Sequence, residues 1–484
     1  MFGLSVSQLD AIGFTFVLNQ LSPDSPYGID RKKQIAPFSR QSEHELTECF
    51  DNLEKLIAFM QENGSAIEEV RAQLSLLKNI RGSIAKCAAQ TLNQIDMFEI
   101  KNFLLTFEKL HAAFTKINDT LNLSNITLNP MNDALFLLDP DGSRIAAFTV
   151  DSEELTIIRS KKLHIEALLQ KETDEASKKN LTAQRYALVQ NEDEEEARVL
   201  QELTHSLRTH LPAFTAALDA IGLLDLTMAK AHLALTFKAV RPEISSAPVL
   251  SFTNMSNPYV EHTLSQLQSQ QNLSMTKVSL TMEKGVTIIT GANMGGKSVS
   301  MKTAVLNALL CQTGFFVFAE KASVPLFDGM YLISDDMQNV KRGLSSFGAE
   351  IVELNKITER VKKDFLFIAL DEFASTTNPE EGSAIVRALA AYLAASASIC
   401  VMSTHYDNVV TQEYKHYQVA GLTLPDALNT TKAIKSDPSF IAAYMDYTLL
   451  EMGSAASPPK DALAICKLLG LDSEIVKRIE REYL

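Results

Sequence analysis

The first 240 residues set apolar positions at the period of a helix. In "EHELTECFDNLEKLIAFMQENG" (43–64), Leu46, Phe50, Leu53, Leu56 and Ile57 recur three or four apart, with Ser42 placed to cap the start and Gly64 the end. The pattern repeats in "AIEEVRAQLSLLKNIRGSIAKCAAQ" (66–90) and "DMFEIKNFLLTFEKLHAAFTKIN" (96–118), joined by the short polar connections of helix hairpins. One interruption is expected. "ALFLLDPDGSRIAAFTV" (134–150) sets two apolar runs around Asp139-Pro140-Asp141-Gly142, a turn sequence, and predicts a small β-hairpin. Two long helices are predicted next, about 151–172 and 193–223, separated by the polar connection "ETDEASKKNLTAQRYALVQ" (172–190). After the proline-punctuated linker "RPEISSAPVLSFTNMSNPYVE" (241–261), short β-branched runs alternate with helices. "KVSLTMEK" (277–284), "VTIIT" (286–290), "MYLIS" (330–334), "FLFIAL" (365–370) and "SICVMS" (398–403) are the predicted strands. The fold class expected is therefore an α/β domain with a mainly parallel, helix-covered sheet at 241–484, preceded by an all-α domain with a small hairpin at 1–240.

Composition narrows the setting. A chain of 484 residues that is 46% hydrophobic and 21% charged reads as a globular protein of two or three domains. Its longest apolar stretch, "ALAAYLAASASICVM" (388–402), falls short of a membrane span, and the N-terminus carries Asp10 without a basic leader, so a cytoplasmic protein with no membrane partner is expected. Cys49, Cys87, Cys311, Cys400 and Cys466 are far apart and read as reduced core residues; His205 and His210, five apart, share no helical face for zinc. The net charge of −14 is the wrong sign for a protein whose main partner is duplex DNA, although a local basic groove stays open. Five consecutive acids, Glu192 to Glu196, read either as a solvated helix start or as an acidic surface for a basic partner.

Four segments carry candidate chemistry. In "TGANMGGKSVS" (290–300), Gly291, Gly296, Lys297 and Ser298 satisfy G-x-x-x-x-G-K-[ST] between a strand and a helix. Glycines let backbone N–H groups curl round a β-phosphate, Lys297 reaches β- and γ-oxygens, and Ser298 ligates Mg²⁺. The nucleotide-binding stretch comprises Gly291, Ala292, Asn293, Met294, Gly295, Gly296, Lys297, Ser298 and Val299. "FLFIALDEFA" (365–374) delivers Asp371 and Glu372 at a strand's carboxyl end, Asp371 for the Mg²⁺ shell and Glu372 as general base towards water. "SICVMSTHYD" (398–407) places His405 at the tip of another strand, where it can sense a γ-phosphate; "GLSSFGAE" (343–350) offers Ser345 or Ser346 as a helix cap.

In this order the four elements resemble the C-terminal ATPase domain of the MutS family, within the ABC ATPase class. "TGANMGGKSVSMKT" is similar to the family's TGPNMGGKST pattern, "LSSF" to its STF signature, "LDEFASTTNPEEG" to its Walker B and D-loop, and "STHY" to its ATHY switch. The tail 453–479 resembles the family's closing helix-turn-helix, used in dimer contacts. The resemblance covers about 250–484, and "KSVSMKT" and "LSSF" lean towards a branch whose other members carry an Smr nuclease tail, for which no room is expected here. It implies Mg-ATP hydrolysis at sites shared by two chains: Ser345 or Ser346 would contact the γ-phosphate held by the other subunit, and Asn378 would lie in the same interface. Asn293 would sit among the phosphates, with "NPYVE" (257–261) near the base. Ala292 replaces the family's proline, and Ala374 and Thr376 replace D-loop glycines, stiffening those positions.

The long clamp of the mismatch-repair members has no counterpart between the two long helices. The expectation is thus a homodimeric ATPase that remodels or reactivates a protein client. Stand-alone relatives occur beside cobalamin-dependent aminomutases, so such an enzyme is one candidate client. The alternatives are a mismatch-repair-like or branched-DNA-binding ATPase and a nucleotide-gated scaffold.

Overall fold

The computed structural model describes residues 2–267, 275–291, 296–334, 346–406, 408–422, 445–452, 462–468 and 470–482. They form two units, neither one continuous stretch: residues 1–21, 35–54 and 230–484 make up the first, residues 22–34 and 55–229 the second. The change of texture at 240 thus lies near only one of the crossings. The N-terminal helices Val6–Ala11 and Phe14–Gln20 belong with the α/β part, where the Gln8 side-chain amide donates to Leu332 O at 2.5 Å and the Asn257 amide to Ile12 O at 3.1 Å.

Ten strands among the described residues form two mixed sheets in the first unit: β1 (Glu243–Ile244), β2 (Val249–Met255), β3 (Val278–Glu283), β4 (Gly285–Thr290), β5 (Lys321–Val324), β6 (Gly329–Ile333), β7 (Leu366–Asp371), β8 (Ile399–Ser403), β9 (Lys415–Leu422) and β10 (Met445–Met452). The larger sheet runs β10-β9-β4-β8-β7-β6, parallel except for β10. The smaller runs β1-β5-β2-β3, with β2 antiparallel to both neighbours. All five strands expected from their apolar runs are present. The stretch read as a linker contains β2, whose burial alternates as befits a sheet with one covered face.

The larger sheet is covered by helices on both faces, which is why β4, β7 and β8 are buried at every position. Helices Ser346–Arg360 and Pro379–Ala394 bring Ile357, Val386, Leu389, Ala390 and Leu393 onto Val286, Ile288, Leu366, Ile368, Leu370 and Cys400. Helix Lys297–Gln312 packs against β6, β7, β8 and β2. Burial pushes the thiols of Cys311 and Cys400 up, consistent with inert core residues.

The second unit is helical. No hairpin forms at 134–150: Asn132–Leu138 is a helix burying Ala134, Leu135 and Leu138, and the second apolar run has no strand partner. Short apolar runs do not distinguish strand from helix, and here Asp139 decides the matter. It is 3% exposed. Burial pushes its carboxyl up, but the Ser143 hydroxyl, the Arg144 N–H and Lys101 at 3.0 Å together hold it well below the usual carboxylate range. The Asp-Pro-Asp-Gly turn therefore ends a helix.

The predicted polar connection 172–190 is helical from Glu175 onward. Glu153–Lys171 and Glu175–Arg208 are joined by three residues, Glu172 to Asp174, with Asp174 capping the second helix. The acidic run lies in the middle of that helix rather than at its start. Arg159 pairs with Glu192 at 3.0 Å and Glu196 at 2.7 Å, Lys162 pairs with Glu192, and Arg198 pairs with Glu195 at 2.6 Å. Glu192 and Glu196 tie the two helices together and Glu195 pairs within its own helix, while Asp193 and Glu194 stay exposed. Helix Leu211–Phe237 is, against expectation, long and apolar enough by length and composition to cross a membrane, and more than half of its most apolar window is buried inside the protein.

Candidate functional site

Sheet register brings the candidate residues to one edge. Ile289 of β4 and Asp371 of β7 both pair with Ser403 of β8, so three strands end level. Strand β4 continues into Gly291, with φ +143°, and the helix Lys297–Gln312 opens from Gly296, with φ +82°. Only glycine suits Gly296: besides its left-handed backbone, a Cβ there would meet the Tyr447 ring at 2.8 Å.

Lys297 begins that helix and is 3% exposed. Its Nζ donates to Gly291 O at 2.8 Å and lies 3.2 Å from Glu372 Oε1. The ammonium is thus folded onto its own loop and onto the acid of the neighbouring strand. A group entering here must offer it anionic oxygens in exchange, because a buried charge without partners is costly.

Next to this pair, Ser298 Oγ donates to Asp371 Oδ1 at 3.0 Å. Ser403 Oγ donates to the same oxygen at 2.6 Å and accepts the Glu372 N–H at 2.9 Å. Ser403 was absent from the candidates read off the sequence; the only signal was its place in "STHY", where the resembled family carries alanine. It orients both acids at once. Glu372 has φ +48° and Ala374 φ +59°, left-handed values that non-glycine residues seldom adopt and that concentrate at functional sites.

Of the other expected residues, His405 follows β8 and is itself exposed between buried Thr404 and Tyr406, with its ring 4.6 Å from that of Tyr406. Val299 lies in the first turn of helix Lys297–Gln312. Asn378 caps helix Pro379–Ala394, its side chain accepting the Glu380 N–H at 3.0 Å. Ala292, Asn293, Met294, Gly295 and Ser345 lie outside the described residues, and Ser346 is described only as the first residue of its helix.

A cavity of about 330 Å³ adjoins Gly296 to Ser300 and Glu372. The rest of its lining is mostly apolar, formed by Val260, Leu264, Met275, Thr276, Val278 and Tyr447, whose phenol is pushed up by burial. Val260 comes from the "NPYVE" segment. Behind the loop, Thr290 Oγ1 and His416 Nε2 are 2.7 Å apart; burial pushes this histidine down, so it is a neutral strut.

A charged floor beside an apolar slot suits a polyanion joined to a flat, weakly polar group. Residues 287–478 match the family model of MutS domain V. This part of the chain is a MutS-family domain. Endonuclease MutS2 of Caldicellulosiruptor saccharolyticus is 30% identical over 220 residues, 45% of this chain and 27% of that protein. Endonuclease MutS2 of Lactobacillus helveticus is 26% identical over 302 residues, 62% of this chain and 35% of that protein. The matches thus span about a third or less of those relatives. The MutS domain contains the acids, the lysine, both serines and Tyr447; the remaining cavity wall comes from residues just before it.

Proposed function

We propose that this site binds and hydrolyses Mg-ATP, in a P-loop ABC-type ATPase fold. The observation that carries the reading is the pairing, across 73 residues of sequence, of Ser298 with Asp371, next to the cavity that Ser298, Lys297 and Glu372 line. Lys297 would exchange Gly291 O and Glu372 for β- and γ-phosphate oxygens. The hydroxyl and carboxylate of Ser298 and Asp371 are the hard oxygen donors that Mg²⁺ prefers, so these two would hold it. Once bound, the ion supplies charge neutralisation on the phosphates. Glu372, released from Lys297, would take a proton from the attacking water, with Ser403 holding its backbone. The base would lie against Val260, Leu264, Met275, Val278 and Tyr447.

His405 is assigned to the γ-phosphate. His405→Ala is expected to lower kcat by about 10²-fold, the loss typical of one donor to developing charge, with ATP affinity nearly unchanged. Equal losses in single-turnover rate and in ATP binding would remove it from this role.

The same reading makes the protein a homodimer in the ATP state. Ser345 or Ser346 and Asn378 of one chain would complete the partner's site, and the C-terminal helices Ala462–Leu468 and Ser473–Glu482 would add dimer contacts.

What ATP drives has two supported readings. The relatives' printed name, endonuclease, favours DNA as the substrate. The net charge of −14 and the three-residue connection between helices Glu153–Lys171 and Glu175–Arg208, which leaves no clamp there, favour a protein client such as a cobalamin-dependent aminomutase. Internal pairing of Glu192, Glu195 and Glu196 leaves only Asp193 and Glu194 of the acidic run exposed, which weakens the case for a basic partner. Chromatography on branched and duplex DNA at about 0.15 M salt separates the two readings: salt-sensitive, structure-selective retention assigns DNA, and flow-through assigns a protein.

A further inference from the structure

Ala374, three residues beyond Asp371, is fully buried with a left-handed backbone, φ +59°. Alanine pays a steric penalty there that glycine would not. Both of its peptide groups are held from outside the loop. Its N–H donates to Glu350 Oε2 at 2.9 Å, and its carbonyl accepts the Tyr406 hydroxyl at 2.7 Å, beside a local bond from Thr377 N at 3.3 Å.

The two outside groups come from different elements. Glu350, 3% exposed, belongs to helix Ser346–Arg360, and Tyr406, 8% exposed, directly follows His405. Burial first, then the Glu350 carboxylate, pushes the Tyr406 phenol up, so it remains a donor. Gly382 keeps this arrangement possible, since a Cβ there would collide with the Tyr406 hydroxyl.

The geometry points to Glu350 and Tyr406 as positioning residues that hold Ala374 in its strained conformation and thereby set Glu372 and His405 for hydrolysis. The consequence for Glu372 is direct: it lies two residues upstream, is itself left-handed, and its carbonyl accepts the Ser375 N–H at 3.1 Å, so the turn around Ala374 fixes it. His405 is constrained because its neighbour's phenol is anchored. Helix Ser346–Arg360 is thereby coupled to both, and displacement of Glu350 would release the turn. This inference rests on the ATPase reading above.

The test uses the full chain and measures kcat, ATP Kd and the thermal midpoint for Tyr406→Phe and Gly382→Ala, each with and without Ala374→Gly. Tyr406→Phe is expected to lower kcat about tenfold, the worth of roughly one such hydrogen bond, while Kd stays within about twofold. Gly382→Ala, which displaces the same phenol by another route, is expected to behave alike. Glycine at 374 adopts the left-handed conformation without strain, so Tyr406→Phe/Ala374→Gly is expected to regain most of the loss relative to Ala374→Gly alone. Glu350→Gln, which keeps an acceptor oxygen, is expected to retain most of kcat. An unchanged kcat in Tyr406→Phe, or a loss of equal size in both backgrounds, overturns the positioning role while the ATPase reading stands. A parent chain that neither binds nor hydrolyses ATP overturns both.

Discussion

Lys297→Ala is expected to abolish measurable ATP binding, with affinity falling at least about 100-fold. The estimate follows from charge-assisted hydrogen bonds, each worth about 1.5–3 kcal/mol, of which a lysine bridging two phosphates makes more than one. The cost of freeing Lys297 from Gly291 O and Glu372 is part of the balance: ATP gains only the surplus of its phosphates over those existing partners. The substitution also leaves Glu372 facing the entering phosphates without an intervening cation, and like charges at short range raise the penalty further. Calorimetric titration with ATP, with a melting curve to confirm folding, checks it. Binding within about fivefold of the parent would place the phosphates elsewhere.

Glu372→Gln is expected to separate binding from chemistry. Removing the general base should lower kcat by about 10²–10⁴-fold, the range usual for positioned proton acceptors. Affinity is expected to hold or improve, because the amide no longer pairs ionically with Lys297 and the ammonium becomes available to ATP. The ATP-loaded variant should then accumulate as a closed dimer, visible as a doubling of mass in light scattering. An ATP-loaded monomer would overturn the shared-site reading. A kcat near that of the parent would move the base to another residue. With the dimer trapped, retention of DNA or of a co-purifying enzyme could be read in the engaged state.

The strands of the larger sheet were legible wherever burial on both faces demanded uninterrupted apolar runs, as at 286–290, 365–370 and 398–403. Strand β2 was hidden by the prolines around it, and β9 and β10, the latter at the sheet edge, by their mixed polar and apolar character and incomplete burial. Residues 172–190 looked like a connection because they lack an apolar stripe. The helix there continues from a capped start into ion pairs with its neighbour, and those partners are visible only in three dimensions. The hairpin expected at 134–150 failed for a related reason, since Lys101, more than thirty residues away, made it favourable to bury Asp139 at a helix end.

From the sequence alone came the residue types and spacings of a phosphate-binding loop, two acids at a strand end and a histidine after the next strand. These are local, because a glycine-rich turn and a strand terminus are set by the backbone freedom of a few neighbouring residues. Tertiary structure alone decided that Asp371 and Ser403 meet, that Lys297 rests on Glu372, that an apolar slot adjoins them, and that Ala374 is held left-handed by Glu350 and Tyr406. The reason is register. A hydrogen bond between neighbouring strands depends on which residue lies opposite which, and that alignment follows from packing the whole sheet between its helices.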